Sequence, residues 1–301
     1  MRETPNLEKS EKLPPEYRYF NISVLWIFYF RHVIRALYRL RIPHEAVTML
    51  SILFGIIAAY YFSAGYFILA AVAIHLKDVF DASDGALARL TGRGHLIGRY
   101  LDSLGDFFTL TLIMIAIGWH AIQSGLSGYG FWSLTAVIST FIQCSFFNYY
   151  QLGYVAAFGI DSLSSQQDER ARDDLRERTS SPLGRVVLTA LRFCYLIVYG
   201  WQDRLVAISD NTLMGARPLP NDRIRYGNRS LMILQSALCF GTHIFVIVLF
   251  SLLRKPHLAL VFISTVMNLY LFLLLYLRKR YYQNASPTPA VSSTASAKHT
   301  G

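Results

Sequence analysis

Residues 78–106 read DVFDASDGALARLTGRGHLIGRYLDSLGD, and they set five carboxylates, Asp78, Asp81, Asp84, Asp102 and Asp106, at the junction of two long apolar runs. A carboxylate near the centre of a bilayer costs about 2.5 to 3.5 kcal/mol on insertion scales, and several together also repel one another. Such a group is tolerated only where protein, metal or ligand compensates it. Asp81 and Asp84 are three residues apart and Asp102 and Asp106 four apart, so on helices each pair projects from one face. Two antiparallel helices joined by the short turn between them bring all four carboxylates to one place.

The rest of the chain supplies an apolar setting. Of 301 residues, 53% are hydrophobic and only 16% charged, against about a quarter charged in soluble domains. The formal net charge of +10 falls between apolar segments rather than on a hydrophilic domain, which points to a membrane surface and not to nucleic acid. Segments 46–63, 66–90, 96–122, 130–158, 230–253 and 257–277 are each long enough to cross about 30 Å of hydrocarbon. The expected fold is therefore all-α: a polytopic membrane protein of six transmembrane helices.

Loop charge sets the expected orientation, because short cytoplasmic loops collect Lys and Arg. Arg31, Arg35, Arg39 and Arg41 precede the first span, Arg89, Arg93 and Arg99 flank the second connection, 170–229 is densely basic, and Arg278, Lys279 and Arg280 follow the last span. With six spans all four regions share one side. Arg254 and Lys255 are the exception on the other. Both termini and the acidic site are expected in the cytosol, in a bacterial inner (cytoplasmic) membrane.

The expected organisation is a polar segment at 1–16, an amphipathic interfacial helix at 17–42, a membrane domain at 43–283 and a disordered tail at 284–301. Arg31, His32, Arg35 and Arg39 recur with the period of a surface helix. Within the membrane domain, 161–229 reads as cytosolic or interfacial. Its apolar stretch 186–200 is short and carries Arg192, which favours an interfacial or re-entrant helix over a seventh span. The polar start lacks a secretory signal, so the mature chain is expected to begin near Met1. Cys144, Cys194 and Cys239 are widely separated in apolar stretches and read as packing residues. There is no internal repeat.

Four hard oxygen donors on two helices suit magnesium or manganese rather than zinc. Such a cluster can hold one ion or two, and paired ions recur in displacement at phosphorus. Gly85, Ala88 and Gly98 lie on or beside the acidic faces, where missing side chains let a bulky ligand approach. Arg89 can grip a phosphate with its planar fork. Asp78 reads as a support for Asp81 or as a partner of Lys77.

The stretch also resembles a family. Asp81, Asp84, Gly85, Ala88, Arg89, Gly98, Asp102 and Asp106 fill the pattern D-x2-D-G-x2-A-R-x8-G-x3-D-x3-D of the CDP-alcohol phosphotransferases. The resemblance implies a phosphotransferase for substituted phosphate groups that releases CMP from a CDP-linked donor. It implies that Asp81, Asp84 and Asp102 bind a pair of Mg2+ or Mn2+ ions, that Asp106 ligates metal or takes the acceptor proton, and that Gly85, Ala88 and Arg89 accommodate CDP. It also implies phospholipid biosynthesis, with CDP-diacylglycerol as the favoured donor, a small polar alcohol as acceptor, membrane lipids as surroundings and homodimers as a common state. The reverse use, a CDP-linked headgroup passed to diacylglycerol or another lipid alcohol, employs the same residues. Where many members carry Pro-Asn-x-x-Thr, this chain has Pro43, His44, Glu45, Ala46, Val47 and Thr48, so the family's contacts there do not carry over. Arg93, His95, Arg99, Arg185 and Arg192 are candidates near an acceptor. A divalent-cation transporter is the non-enzymatic alternative, but it requires acids spread through the bilayer depth rather than gathered beside an arginine and a glycine.

Overall fold

The computed structural model describes residues 13–21, 29–92, 96–159, 182–215 and 222–285. The polar start at 1–12, Arg93 and His95, the run 161–181 and the tail from 286 lie outside the described residues, as does the side chain of Arg99. The described residues are predominantly helical and contain no strand. The helices are α1 (Phe30–Arg39), α2 (His44–Ser63), α3 (Phe67–Thr91), α4 (Leu96–Gln123), α5 (Tyr129–Ala157), α6 (Pro182–Met214), α7 (Arg223–Tyr226), α8 (Arg229–Gln235), α9 (Phe240–Leu252), α10 (His257–Ser264) and α11 (Val266–Ala285).

Five of these units, namely α2, α4, α5, α6 and α10 with α11, are long and apolar enough to cross a membrane. The pair α8 and α9, bent by 49° at Cys239, makes a sixth. The chain is a multi-pass membrane protein. Helix α3 has the length, at 25 residues, but is too rich in charge for lipid by itself. It lies against α2, α9 and α1, which take its charged face out of lipid's reach. All six spans expected from the sequence are thus present as helices, and α6 is a further helix of spanning length.

Residue placement along α2 shows what kind of interior this is. Thr48, Ser51, Gly55, Ala58 and Ala59 face inward, while Met49, Leu53, Ile56 and Tyr60 face outward. Small and hydroxyl-bearing residues let helices approach closely where lipid already satisfies the large apolar ones. Polar side chains also join the helices at mid-depth. Gln143 Nε2 donates to Asn268 Oδ1 (2.7 Å), Gln143 Oε1 pairs with His243 Nε2 (2.8 Å), and Asn268 Nδ2 donates to Ser139 Oγ (2.8 Å).

The N-terminal segment departs from expectation. Only Phe30–Arg39 of the expected 17–42 helix is α-helical among the described residues, with Ile34 and Leu37 buried and Arg31, Arg35 and Arg39 exposed. Residues 17–19 instead dock on the end of α5: Tyr17 stacks on Phe158 at 4.5 Å, and Gln151 donates to the Tyr19 hydroxyl (2.6 Å). Aromatic side chains with polar tips gain more by filling that end of the bundle than by lying on headgroups. Asn284 and Ala285, expected in the disordered tail, complete α11.

The largest correction concerns 186–200, which is the interior of the 33-residue α6. Its partners show how it lies. Tyr195 packs on Tyr100, Tyr199 Oη donates to the Ser103 carbonyl (2.8 Å), Ser145 Oγ donates to Gln202 Oε1 (2.8 Å), and Tyr149 and Tyr150 donate to Asp210 (3.0 and 2.8 Å). Tyr195 and Asp210 are about 22 Å apart along a helix at 1.5 Å per residue. All their partners nevertheless belong to the half of the bundle where α4 begins and α5 ends. Helix α6 therefore packs along that half of α4 and α5 over more than the expected length. Cys144 and Cys239 are buried, whereas Cys194 on α6 is exposed rather than packed.

Close approach of α4 and α5 rests on Gly118. A Cβ there would lie 1.8 Å from Ser133 Oγ, itself bonded to the Met114 carbonyl (3.0 Å), and 2.9 Å from the Tyr129 carbonyl. Gly118→Ala is expected to destabilise the protein by about 1 to 3 kcal/mol in spite of the better helix propensity of alanine. Gly130→Ala, whose Cβ meets nothing nearer than Ile122 Cδ1 at 3.7 Å, is the control; thermal unfolding in detergent reads both.

Candidate active site

Helix α2 braces both acidic helices. A Cβ on Gly55 would lie 2.7 Å from Thr109 Cβ of α4, and one on Gly105 would lie 2.7 Å from Ile52 Cδ1 of α2. The two helices thus touch almost at backbone distance. On its other side α2 meets α3, where Ser51 Oγ donates to the Lys77 carbonyl (3.2 Å) and Thr48 Oγ1 donates to Asp84 Oδ2 (2.5 Å). The turn after α3 is made by Gly92, whose φ of 65° is a left-handed conformation that glycine adopts without strain.

On this frame three of the four aspartates converge. One carboxylate oxygen from each of Asp81, Asp102 and Asp106 lies within 4.8 Å of the other two. Asp84 is set slightly apart, buried against Thr48. Lys77, its side chain only 2% exposed, pairs directly with Asp106 Oδ1 and sits 3.8 Å from Asp81 Oδ1. Of the two readings of Asp78, as a support for Asp81 or as a partner of Lys77, the second is not what the ion pairs show, since the Lys77 ammonium turns into the cluster.

One ammonium cannot offset three converging carboxylates with a fourth close by, and like charges removed from water need a counter-cation. The donor set is all carboxylate oxygen, as magnesium and manganese favour. The residues present therefore fit a divalent cation.

The residues proposed to meet a ligand stand beside this cluster. Arg89 folds back along its own helix, so that its Nη1 lies 3.4 Å from the position a Cβ on Gly85 would take. Gly98 faces His44, with 3.6 Å between the position of its Cβ and His44 Nε2. Ala88 is partly buried one turn after Asp84. Behind α4 an aromatic wall closes the site: Phe107 packs on Phe141 at 4.7 Å, and Tyr199 reaches Ser103, the neighbour of Asp102.

A model of the CDP-alcohol phosphatidyltransferase family matches residues 42–159. Over those residues the chain is similar to that family. The match starts just before α2 and closes after α5, so it contains every carboxylate of the cluster along with Thr48, Lys77, Arg89 and Gly98, and ends before α6. No curated protein matches the chain. That family consists of phosphotransferases for substituted phosphate groups, which use CDP-linked substrates, alcohol or lipid acceptors and, in general, a divalent metal.

Sequence reasoning did not find Lys77, Thr48 or Tyr199 as parts of the site. For Lys77 a signal existed, since it stands one helical turn before Asp81 and lysine is scarce inside spans. Thr48 and Tyr199 come from helices remote in sequence and carried no local mark. Lys77→Met leaves Asp106 and Asp81 without their ammonium and is expected to cost about 3 kcal/mol or more in EDTA. Added Mg2+ or Mn2+ should raise the melting temperature of the variant more than that of the wild type, which differential scanning fluorimetry would show.

Proposed function

We propose that this protein transfers a phosphatidyl group from CDP-diacylglycerol to a small polar alcohol and releases CMP. The observation that carries the reading is the convergence of Asp81, Asp102 and Asp106 at one end of an apolar bundle, with Arg89 folded over Gly85 beside them. A lipid-linked diphosphate has its acyl chains in the membrane and its charge at that depth. A small alcohol reaches the same point from water.

In this reading Asp81, Asp84, Asp102 and Asp106 hold Mg2+ or Mn2+, as one ion or a pair. The bound metal would neutralise the diphosphate and the CMP that leaves. Arg89 binds a phosphate oxygen of the CDP group, while Gly85, Ala88 and Gly98 leave room for its approach to the helix backbones. Asp106 accepts the proton of the acceptor hydroxyl. The acceptor oxygen then bonds to the phosphatidyl phosphorus, and the bond from that phosphorus to the oxygen bridging to CMP breaks. The electron pair leaves with CMP, and the proton stays on Asp106 until it passes to water.

The proposed location is a bacterial inner membrane with the site on the cytosolic side, and charge supports the side. Arg31, Arg35 and Arg39 on the exposed face of α1 and Lys279 and Arg280 at the end of α11 belong to the end bearing the aspartates, and Arg254 and Lys255 to the opposite end. Short-loop basic residues favour the cytoplasmic face.

Purified protein incubated with labelled CDP-diacylglycerol, Mg2+ or Mn2+ and a panel of polar alcohols is expected to release CMP with at least one of them, and EDTA is expected to stop it. CMP release from CDP-choline or CDP-ethanolamine with diacylglycerol, and none from CDP-diacylglycerol, would reverse donor and acceptor. Asp106→Asn should reduce turnover by at least about a hundredfold, the scale of a general base, measured at a temperature well below the melting point of the variant; retained turnover would remove Asp106 from the chemistry.

A further inference from the structure

A second buried charged cluster lies at the same end of the bundle, where α11 meets α5 and α8. Its centre is Asp210 of α6. Asp210 Oδ2 accepts from Arg225 Nε (2.9 Å) and Nη2 (2.6 Å), Tyr149 Oη (3.0 Å) and Tyr226 Oη (3.1 Å), and Oδ1 accepts from Tyr150 Oη (2.8 Å). Arg225 already matches the charge of Asp210 through two direct hydrogen bonds, so any further cation here is one positive charge in excess.

Arg278 is nevertheless there. It is 3% exposed, and its guanidinium carbon lies 3.7 Å above the ring centre of Tyr150. Arg278 Nε donates to Gln235 Oε1 (3.2 Å), and Gln235 is fully buried. Among the described residues nothing accepts from Arg278 Nη2 or from Gln235 Nε2. Exchanging the amide oxygen and nitrogen of Gln235 offers no relief, since it would set two donors against each other. The Tyr150 ring attracts the guanidinium through its face but takes none of the in-plane N–H groups. Two neighbouring donors and one positive charge are thus withdrawn from water without an acceptor, an arrangement that costs several kcal/mol unless something completes it.

We propose that Arg278 and Gln235 form a binding site for a phosphate oxyanion, separate from the aspartate site. A water could accept the two hydrogen bonds but would leave the charge unmatched. An oxyanion supplies both the acceptors and the charge, and the guanidinium fork suits phosphate oxygens. Arg278 stands near the end of α11, next to Lys279 and Arg280, at the depth of lipid headgroups. The phosphate can belong to an anionic phospholipid or to a small soluble phosphate. Helix α11 packs on α5, α6, α7, α8 and α10, so occupancy would tie the last helix to the α6 end of the bundle.

The test is thermal unfolding of the full chain, purified in detergent with EDTA so that metal plays no part. It uses three titrations: inorganic phosphate, sodium chloride at matched ionic strength, and mixed micelles of phosphatidylglycerol or phosphatidylcholine. Saturable stabilisation by inorganic phosphate, of about 5 °C at a large excess over Kd, identifies a soluble phosphate as sufficient. Stabilisation by phosphatidylglycerol but by neither phosphate nor phosphatidylcholine assigns the site to an anionic lipid. In either case Gln235→Glu, which sets a carboxylate beside Arg278, should raise the melting temperature of the unliganded protein and abolish the response. Arg278→Met should abolish the response as well. If neither phosphate nor phosphatidylglycerol stabilises the wild type beyond the chloride control, or if Gln235→Glu keeps the full response, the proposal is wrong. Because Gln235→Glu retains every native cation, the result does not depend on Arg278→Met folding.

Discussion

Carboxylates inside an apolar bundle must be brought together and compensated at once, and the arrangement of this protein follows from that demand. Each aspartate of α3 and α4 would be expelled from lipid if it stood alone. Packed against α2, α9 and α6 they become an interior cluster, and the helices that carry them can then be held only by close contact. That contact depends on missing side chains. Gly55 against Thr109 and Gly105 against Ile52 bring α2 and α4 to near backbone distance, which lets Thr48 reach Asp84 and Ser51 reach the backbone of α3. Small residues and acids are therefore parts of one device: the first permit the distance over which the second are shared.

Lys77 shows how the charge is divided. A lysine buried in a bundle loses its hydration and keeps its charge only beside an acid. Here it spans the two helices, pairing with Asp106 on α4 and approaching Asp81 on α3. It offsets part of the repulsion among the carboxylates while leaving a strongly anionic centre for a divalent cation. The aromatic wall formed by Phe107, Phe141 and Tyr199 closes the rear of that centre. Through Tyr199 it ties the position of α6 to the turn of α4 that carries Asp102.

The two polar clusters at this end have opposite character. The aspartate site holds more negative charge than its lysine can match, and the Arg278 site holds a guanidinium beyond the one that pairs directly with Asp210. They are reached through different helices. The first is made by α2, α3 and α4, within the segment that matches the family, and the second by α5, α6, α8 and α11, largely beyond it. The part of the chain outside the match is thus more than a cover for the active centre, since it brings buried charge of its own.

Spans and acidic motif were legible because each is written in local sequence. Lipid demands about twenty apolar residues per crossing, helical spacing sets Asp81 beside Asp84 and Asp102 beside Asp106, and hard donors in such a set select hard cations. The length and lie of α6 were not legible, because Arg192, Asp203, Arg204 and Asp210 interrupt an apolar run whose helical continuity depends on partners such as Tyr100, Ser145 and Tyr150. Nor could local pattern show that Lys77 serves Asp106 rather than Asp78, that Thr48 takes Asp84 out of the tight triad, or that Arg278 lies over Tyr150. The sequence by itself determined which residues lie in the membrane and which chemistry their side chains can perform, since hydropathy and helical period act over neighbours. Which charges meet was decided only by the tertiary structure, because in a medium without water a buried charge takes whatever partner packing brings within a few ångströms, however distant in the chain.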